Sequence, residues 1–170
     1  MEDVIINKIA ASGIITIDLE EYYPKEEIVS FDLKPFLFME MILKEKDFRQ
    51  QLKEVNWEQY RDKYVAVFCS SDAIIPRWAF MLIASYLQPI AKDLIAGSKD
   101  ELINRLMIKN LETIDFAAFQ GKRVVIKGCG NIDISASAYL EITKRLLPYA
   151  QSIMYGEPCS TVPVFKKKNM

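Results

Sequence analysis

The chain has 170 residues, 51% hydrophobic and 26% charged, the balance of a folded globular protein rather than a disordered one. Its net charge is −1, from 22 Lys and Arg against 23 Asp and Glu, so no nucleic-acid partner is expected, because that binding needs phosphate neutralisation. It contains no histidine, which excludes Ser-His-Asp triads, Cys-His dyads and any His-ligated metal.

In chain order, the opening "MEDVIINKIAASG" has no long apolar stretch leading to a cleavage site and does not read as a secretory signal. A cytoplasmic location is expected, with the three cysteines as free thiols or metal ligands rather than disulfides. The runs "GIITIDL" and "EIVSFDL" then read as strands, with "YYPKEE" as the turn between them. They are expected to extend a sheet in mixed orientation.

From here the sequence repeats itself at an offset of 59. Residues 57–97 align without a gap on residues 116–156, and nine of the 41 pairs are identical. Ordinary composition would give roughly two or three by chance. With its leading helix, the repeat spans 47–97 and 106–156. Each copy reads as an amphipathic helix ("DFRQQLKEV", "LINRLMIKNLETI"), a capped aromatic turn, and a β-branched strand ("YVAVF", "RVVIK"). A loop of small polar residues follows, then a helix stopped by Pro89 or Pro148, and a strand ending at Gly97 or Gly156. Strand, helix, strand within about 35 residues is a βαβ unit with parallel strands. The expected fold is a three-layer α/β domain spanning residues 1–170. Its sheet is mixed but mostly parallel, built from the duplicated βαβ unit with an N-terminal strand extension.

The two central helices differ. In "SAYLEITKRLL", Ala138, Ile142 and Leu146 form one face, and Glu141, Lys144 and Arg145 another. "WAFMLIASYL", after Arg77, is apolar all round, yet at ten residues it is far short of the about 20 a membrane span needs. No membrane partner is expected. Either residues 1–55 fold over this helix, or a second copy covers it in a homodimer.

The cysteines share a placement. Cys69 ends the first strand of one copy, Cys129 lies one place past the equivalent point of the other, and Cys159 follows the last strand in "YGEPCSTVP". All three stand at carboxyl ends of predicted parallel strands, the edge where open α/β sheets bind ligands. If the two first strands are neighbours, in order 2-1-3-4, the thiols converge. Three thiolates, completed by Asp72, Glu157 or Asp100, would suit zinc or an iron–sulfur cluster. A thiol nucleophile is a further possibility, since Cys69 and Cys129 precede helix N-termini, with Arg77 or Lys127 assisting. Without histidine that chemistry would be thiol exchange or sulfur transfer. Cysteines buried as small hydrophobes in a non-catalytic interaction protein are the alternative.

As a set, "LKEKDFR", "DAIIPRWAFML", "KGC" and "GEPCSTVP" make the chain resemble the DUF2480-like family of uncharacterised bacterial proteins, over nearly its whole length. The resemblance implies no established activity. It implies iron–sulfur assembly proteins as neighbours, which favours Cys69, Cys129 and Cys159 as metal or sulfur handlers. The expectation is therefore a cysteine-based metal or iron–sulfur binding protein in cluster or sulfur handling. Whether it is an enzyme stays open.

Overall fold

The computed structural model describes residues 13–128, 130–157 and 160–168. Among the described residues, four α-helices and seven strands form an α/β fold with two mostly parallel sheets. The chain falls into two compact units, residues 1–24 with 104–170, and residues 25–103.

The second unit holds strands β2 (Ile28–Asp32), β3 (Tyr64–Phe68) and β4 (Asp93–Ala96) in the order β2-β3-β4, all parallel. Tyr64, Val65, Ala66 and Val67 of β3 are all buried, as a central parallel strand requires. Helix α1 (Glu45–Glu54) and helix α2 (Arg77–Leu87) pack on one face. Phe48 and Leu52 of α1 join Ala79, Ile83 and Leu87 of α2 over Phe31, Val65 and Val67 of the sheet. The apolar α2 takes cover from within its own unit. Trp78 meets Phe48 edge-on at 6.0 Å and Tyr86 stacks on Trp57 at 4.8 Å. Its outer stripe, Arg77, Met81, Ser85 and Gln88, is exposed. A helix apolar all round in sequence therefore has only three of its four sides covered.

The first unit holds β1 (Ile14–Asp18), β5 (Arg123–Lys127), β6 (Ser152–Glu157) and β7 (Ser160–Lys166), ordered β1-β5-β6-β7. The first three are parallel and β7 is antiparallel to β6. Helix α4 (Ala136–Leu146) buries Ala138, Ile142 and Leu146, the face its periodicity selects. Helix α3 (Lys99–Leu111) carries the chain from the second unit into the first. In the first unit, the Asn110 side chain donates to the Tyr22 carbonyl at 2.9 Å.

The 59-residue offset recurs in the elements. Shifting β3 and α2 by that amount lands on β5 and α4 end for end. The added strands correspond as well: Ile28 pairs with Tyr64, and Ile14 pairs with Arg123, the counterpart of Tyr64.

Two expectations change. The leading strands do not form one hairpin; β1 joins one sheet and β2 the other, each in parallel, and "YYPKEE" links the units. The antiparallel strand is β7, at the sheet edge, where Pro163 is tolerated because its missing N–H is not needed by a further strand. Gly156, with φ 114°, sits where an added Cβ would lie 2.6 Å from the Ser160 carbonyl oxygen, so the close approach of β6 and β7 there needs glycine.

Candidate functional site

The convergence of thiols required β3 and β5 to be neighbours. They lie in different sheets of different units, each paired with its own N-terminal strand instead. Cys69 is a free thiol, half-buried against the core of the second unit. Asp72 is exposed in the loop after β3, and Asp100 is exposed in the first turn of α3. Glu157 belongs to the other unit, at the end of β6, where its carboxylate lies 3.9 Å from the Lys127 ammonium. Cys129 and Cys159 lie outside the described residues. Among the described residues no group of three or more Cys, Asp or Glu could hold a metal ion. The cysteine-based metal or iron–sulfur centre read from the sequence is thus overturned: β3 and β5, which had to be paired neighbours, belong to different sheets, and no metal-holding group exists among the described residues.

What the carboxyl edges of the two sheets carry instead is built from aspartates. β1 and β2 each end in one, Asp18 and Asp32. Each accepts a hydrogen bond from the backbone N–H two residues on, from Glu20 at 3.0 Å and Lys34 at 2.9 Å. These bonds open the short 3-10 turns Leu19–Tyr22 and Lys34–Phe36. Beyond this the two edges diverge.

In the first unit, Asp18 pairs with Lys127 at 3.2 Å. The hydrogen bond from Lys127 to Asp18, then the charges of Asp18, Glu157 and Glu20, hold the Lys127 ammonium above the ordinary lysine range. A lysine so paired is a poor nucleophile or base, so it offers little help to a thiol.

In the second unit, the counterpart of Lys127 is Phe68, and Asp32 serves the loop after β3 instead. The Ser70 backbone N–H donates to Asp32 at 2.9 Å and the Ser70 hydroxyl at 2.6 Å. Burial alone would push the Asp32 carboxyl up. The donors from Ser70 and Lys34, with the Lys34 charge, outweigh it and hold Asp32 below the usual aspartate value. One residue on, the Ser71 hydroxyl donates to the Glu40 carbonyl. The loop is thereby tied to a turn that the sequence reading passed over.

That turn, Phe38–Ile42, is a knuckle of apolar side chains. Phe38 and Ile42 bridge each other, with the Phe38 N–H donating to the Ile42 carbonyl at 2.7 Å. The central residues Met39 and Glu40 have φ of 51° and 60°, a conformation that suits Asn-Gly and costs other residues about 1 kcal/mol or more each. The side chains it presents are exposed: Phe38, Met39 at 75%, Met41 and Ile42, with Ile74 at 95% on the tethered loop. Lys44 covers the Phe38 ring, its ammonium 3.4 Å from the centroid. The available signal was the run "FLFMEMIL" itself, which fits neither a period of 2 nor one of 3.6 and is rich in methionine.

No helix among the described residues is long and apolar enough to cross a membrane. A family described as protein of unknown function (DUF2480) matches residues 3–167. No curated protein and no solved structure matches the chain.

Proposed function

The chain belongs to the DUF2480 family, and from its geometry we propose that it is a non-catalytic interaction protein that works as a homodimer through the knuckle of the second unit. The observation that carries this reading is the strained turn at Met39 and Glu40, which holds Phe38, Met39, Met41 and Ile42 in solvent. Strained backbone persists where surrounding contacts enforce it and function uses it. Here Ser71 grips the turn and Asp32 anchors the loop that carries Ser71. A cluster of large exposed apolar side chains marks an interaction surface, and methionine adapts to a facing surface readily. A second copy is the favoured partner because a two-fold interface sets the same patch against itself, and a net charge of −1 gives copies little mutual repulsion. The internal cover of Trp78 and Tyr86 moves the interface from the Trp78–Leu87 helix to the knuckle.

The compartment proposed is the cytoplasm, with Cys69 reduced. The two units are proposed as copies of one module, the support being the shared 59-residue offset and the matching register of β1 and β2.

Sedimentation velocity tests the dimer. The wild-type protein is expected to sediment as a dimer, and Met39→Asp with Met41→Asp as a monomer of unchanged melting temperature. A wild-type protein that stays monomeric across the accessible concentration range sinks the proposal.

A further inference from the structure

The first unit has an exposed apolar surface of its own. Between α4 and strands β6 and β7 lies an apolar groove of about 610 Å³, lined by Ile126, Leu140, Leu147, Met154 and Val164 among others. Its walls stand in solvent: Leu140 is 73% exposed, Val164 54% and Leu147 40%. A pocket for a small organic molecule encloses most of its ligand, whereas walls this open need an occupant large enough to cover them. The lining reaches from Ala136 to Leu147, the length of α4, which is about 16 Å at 1.5 Å per residue.

The charge beside the groove has one sign. No Asp or Glu occurs from Ile142 to Gly156 or from Ser160 to Lys168, whereas these stretches hold Lys144, Arg145, Lys166, Lys167 and Lys168. Lys144 and Arg145 are held by Glu141. The backbone gathers other lysines at the end of the sheet where α4 finishes. Just past α4, the Tyr149 carbonyl accepts from the Gly121 N–H at 2.9 Å. Next to Gly121, the Lys122 carbonyl accepts from the Gln151 N–H at 2.7 Å, and the Gln151 carbonyl accepts from the Lys167 N–H at 2.8 Å. Lys166 lies opposite Ser152. Lys122, Lys166 and Lys167 are exposed, and none of them forms an ion pair with a described residue.

We infer that this groove receives an amphipathic helix of a partner protein, apolar on one face and acidic beside it. Its apolar side chains lie among Leu140, Leu147, Met154 and Val164, at the three- and four-residue spacing by which helices dock in grooves. Its carboxylates meet Lys122, Lys166 and Lys167, which supply the charge complementarity. An extended strand is a poorer occupant. β7 is the last strand of its sheet, but Pro163, opposite Met154, leaves a gap in the outer row of N–H donors that an added strand would use. A second copy is poorer too, since a two-fold contact sets groove against groove and fills neither. A bilayer surface spans a groove without filling it.

The test uses the full chain, two labelled peptides in fluorescence anisotropy, and methyl-resolved NMR. One peptide, of about 14 residues, carries leucines at helical spacing and glutamates on the flanks; the other has lysine in place of each glutamate. The acidic peptide is expected to bind on the order of tenfold more tightly than the basic one, to weaken as salt rises, and to shift the methyl signals of Leu140, Leu147 and Val164. Leu140→Glu, at an exposed position, should weaken the acidic peptide about tenfold or more at unchanged melting temperature. Lys166→Glu with Lys167→Glu should remove the preference for the acidic peptide. If neither peptide moves the three methyl signals, the site is overturned. Equal binding of the two peptides, or a preference that survives the double lysine variant, overturns the acidic partner. Methyl shifts that follow protein concentration alone assign the groove to a second copy. Displacement of the peptide by anionic phospholipid vesicles assigns it to a lipid surface, and displacement by n-octanoate at comparable concentration to a small ligand. Each of these three outcomes overturns the helix.

Discussion

Asp32 shows how much one side chain can organise at a strand end. Three donors from two segments meet its carboxylate, the Lys34 N–H and the N–H and hydroxyl of Ser70. Asp32→Ala leaves these donors to water and frees the loop that steadies the knuckle, so a loss of about 1–3 kcal/mol is expected in urea unfolding. The pH dependence has a definite sign. Its folded-state value is depressed, so its contribution is present above the ordinary aspartate value of about 3.9 and fades as pH falls through the lower folded value. Asp32→Asn should therefore lose stability at neutral pH and lose less on acidification than the wild type does. Equal acid sensitivity in the two proteins would remove Asp32 from the account.

At the scale of elements, α2 separates periodicity from burial. Its sequence is apolar on every side, but its packing has a direction. Phe48 of α1 is fully buried and makes edge-on ring contacts with Phe36 at 5.8 Å and Trp78 at 6.0 Å. Phe48→Ala should cost about 3–5 kcal/mol, through lost burial and the cavity left behind. Met81 lies on the exposed stripe of α2, and Met81→Ala should change stability by no more than about 0.5 kcal/mol. Comparable losses from the two substitutions would mean that α2 is covered on its outer side as well. Helix α4 was the easier element to read, since Ala138, Ile142 and Leu146 alternate with charged positions at helical spacing and are the residues buried. Leu140 and Leu147 escaped that reading because they belong to neither face.

For the whole molecule, a chain of 170 residues without histidine lacks the side chain whose ordinary pKa falls near neutrality. The resolved shifts point to the two ends of the pH scale. Glu26, Asp32, Glu58 and Glu141 are depressed, so their contributions fade only at acid pH; Lys92 and Lys127 are raised, so theirs fade only at strongly alkaline pH. Melting temperature should therefore be flat between about pH 5 and 7, as differential scanning calorimetry would show. A transition inside that window would reveal a strongly perturbed group elsewhere in the chain.

The sequence by itself determined most of the elements, six of the seven described strands and the four described helices, with β7 left unread. β-branched runs, helical spacing, Pro89, Pro148 and the 59-residue offset are local signals, because strand and helix formation answers mainly to neighbours along the chain. The tertiary structure alone decided which strands pair. β1 sits beside β5 and β2 beside β3, and that choice between partners distant in the chain rests on side-chain packing that no local pattern records. The same choice parted the strands meant to gather the cysteines. It also set a run of apolar residues at Phe38–Ile42 in solvent, where a hydrophobic stretch would ordinarily be read as core.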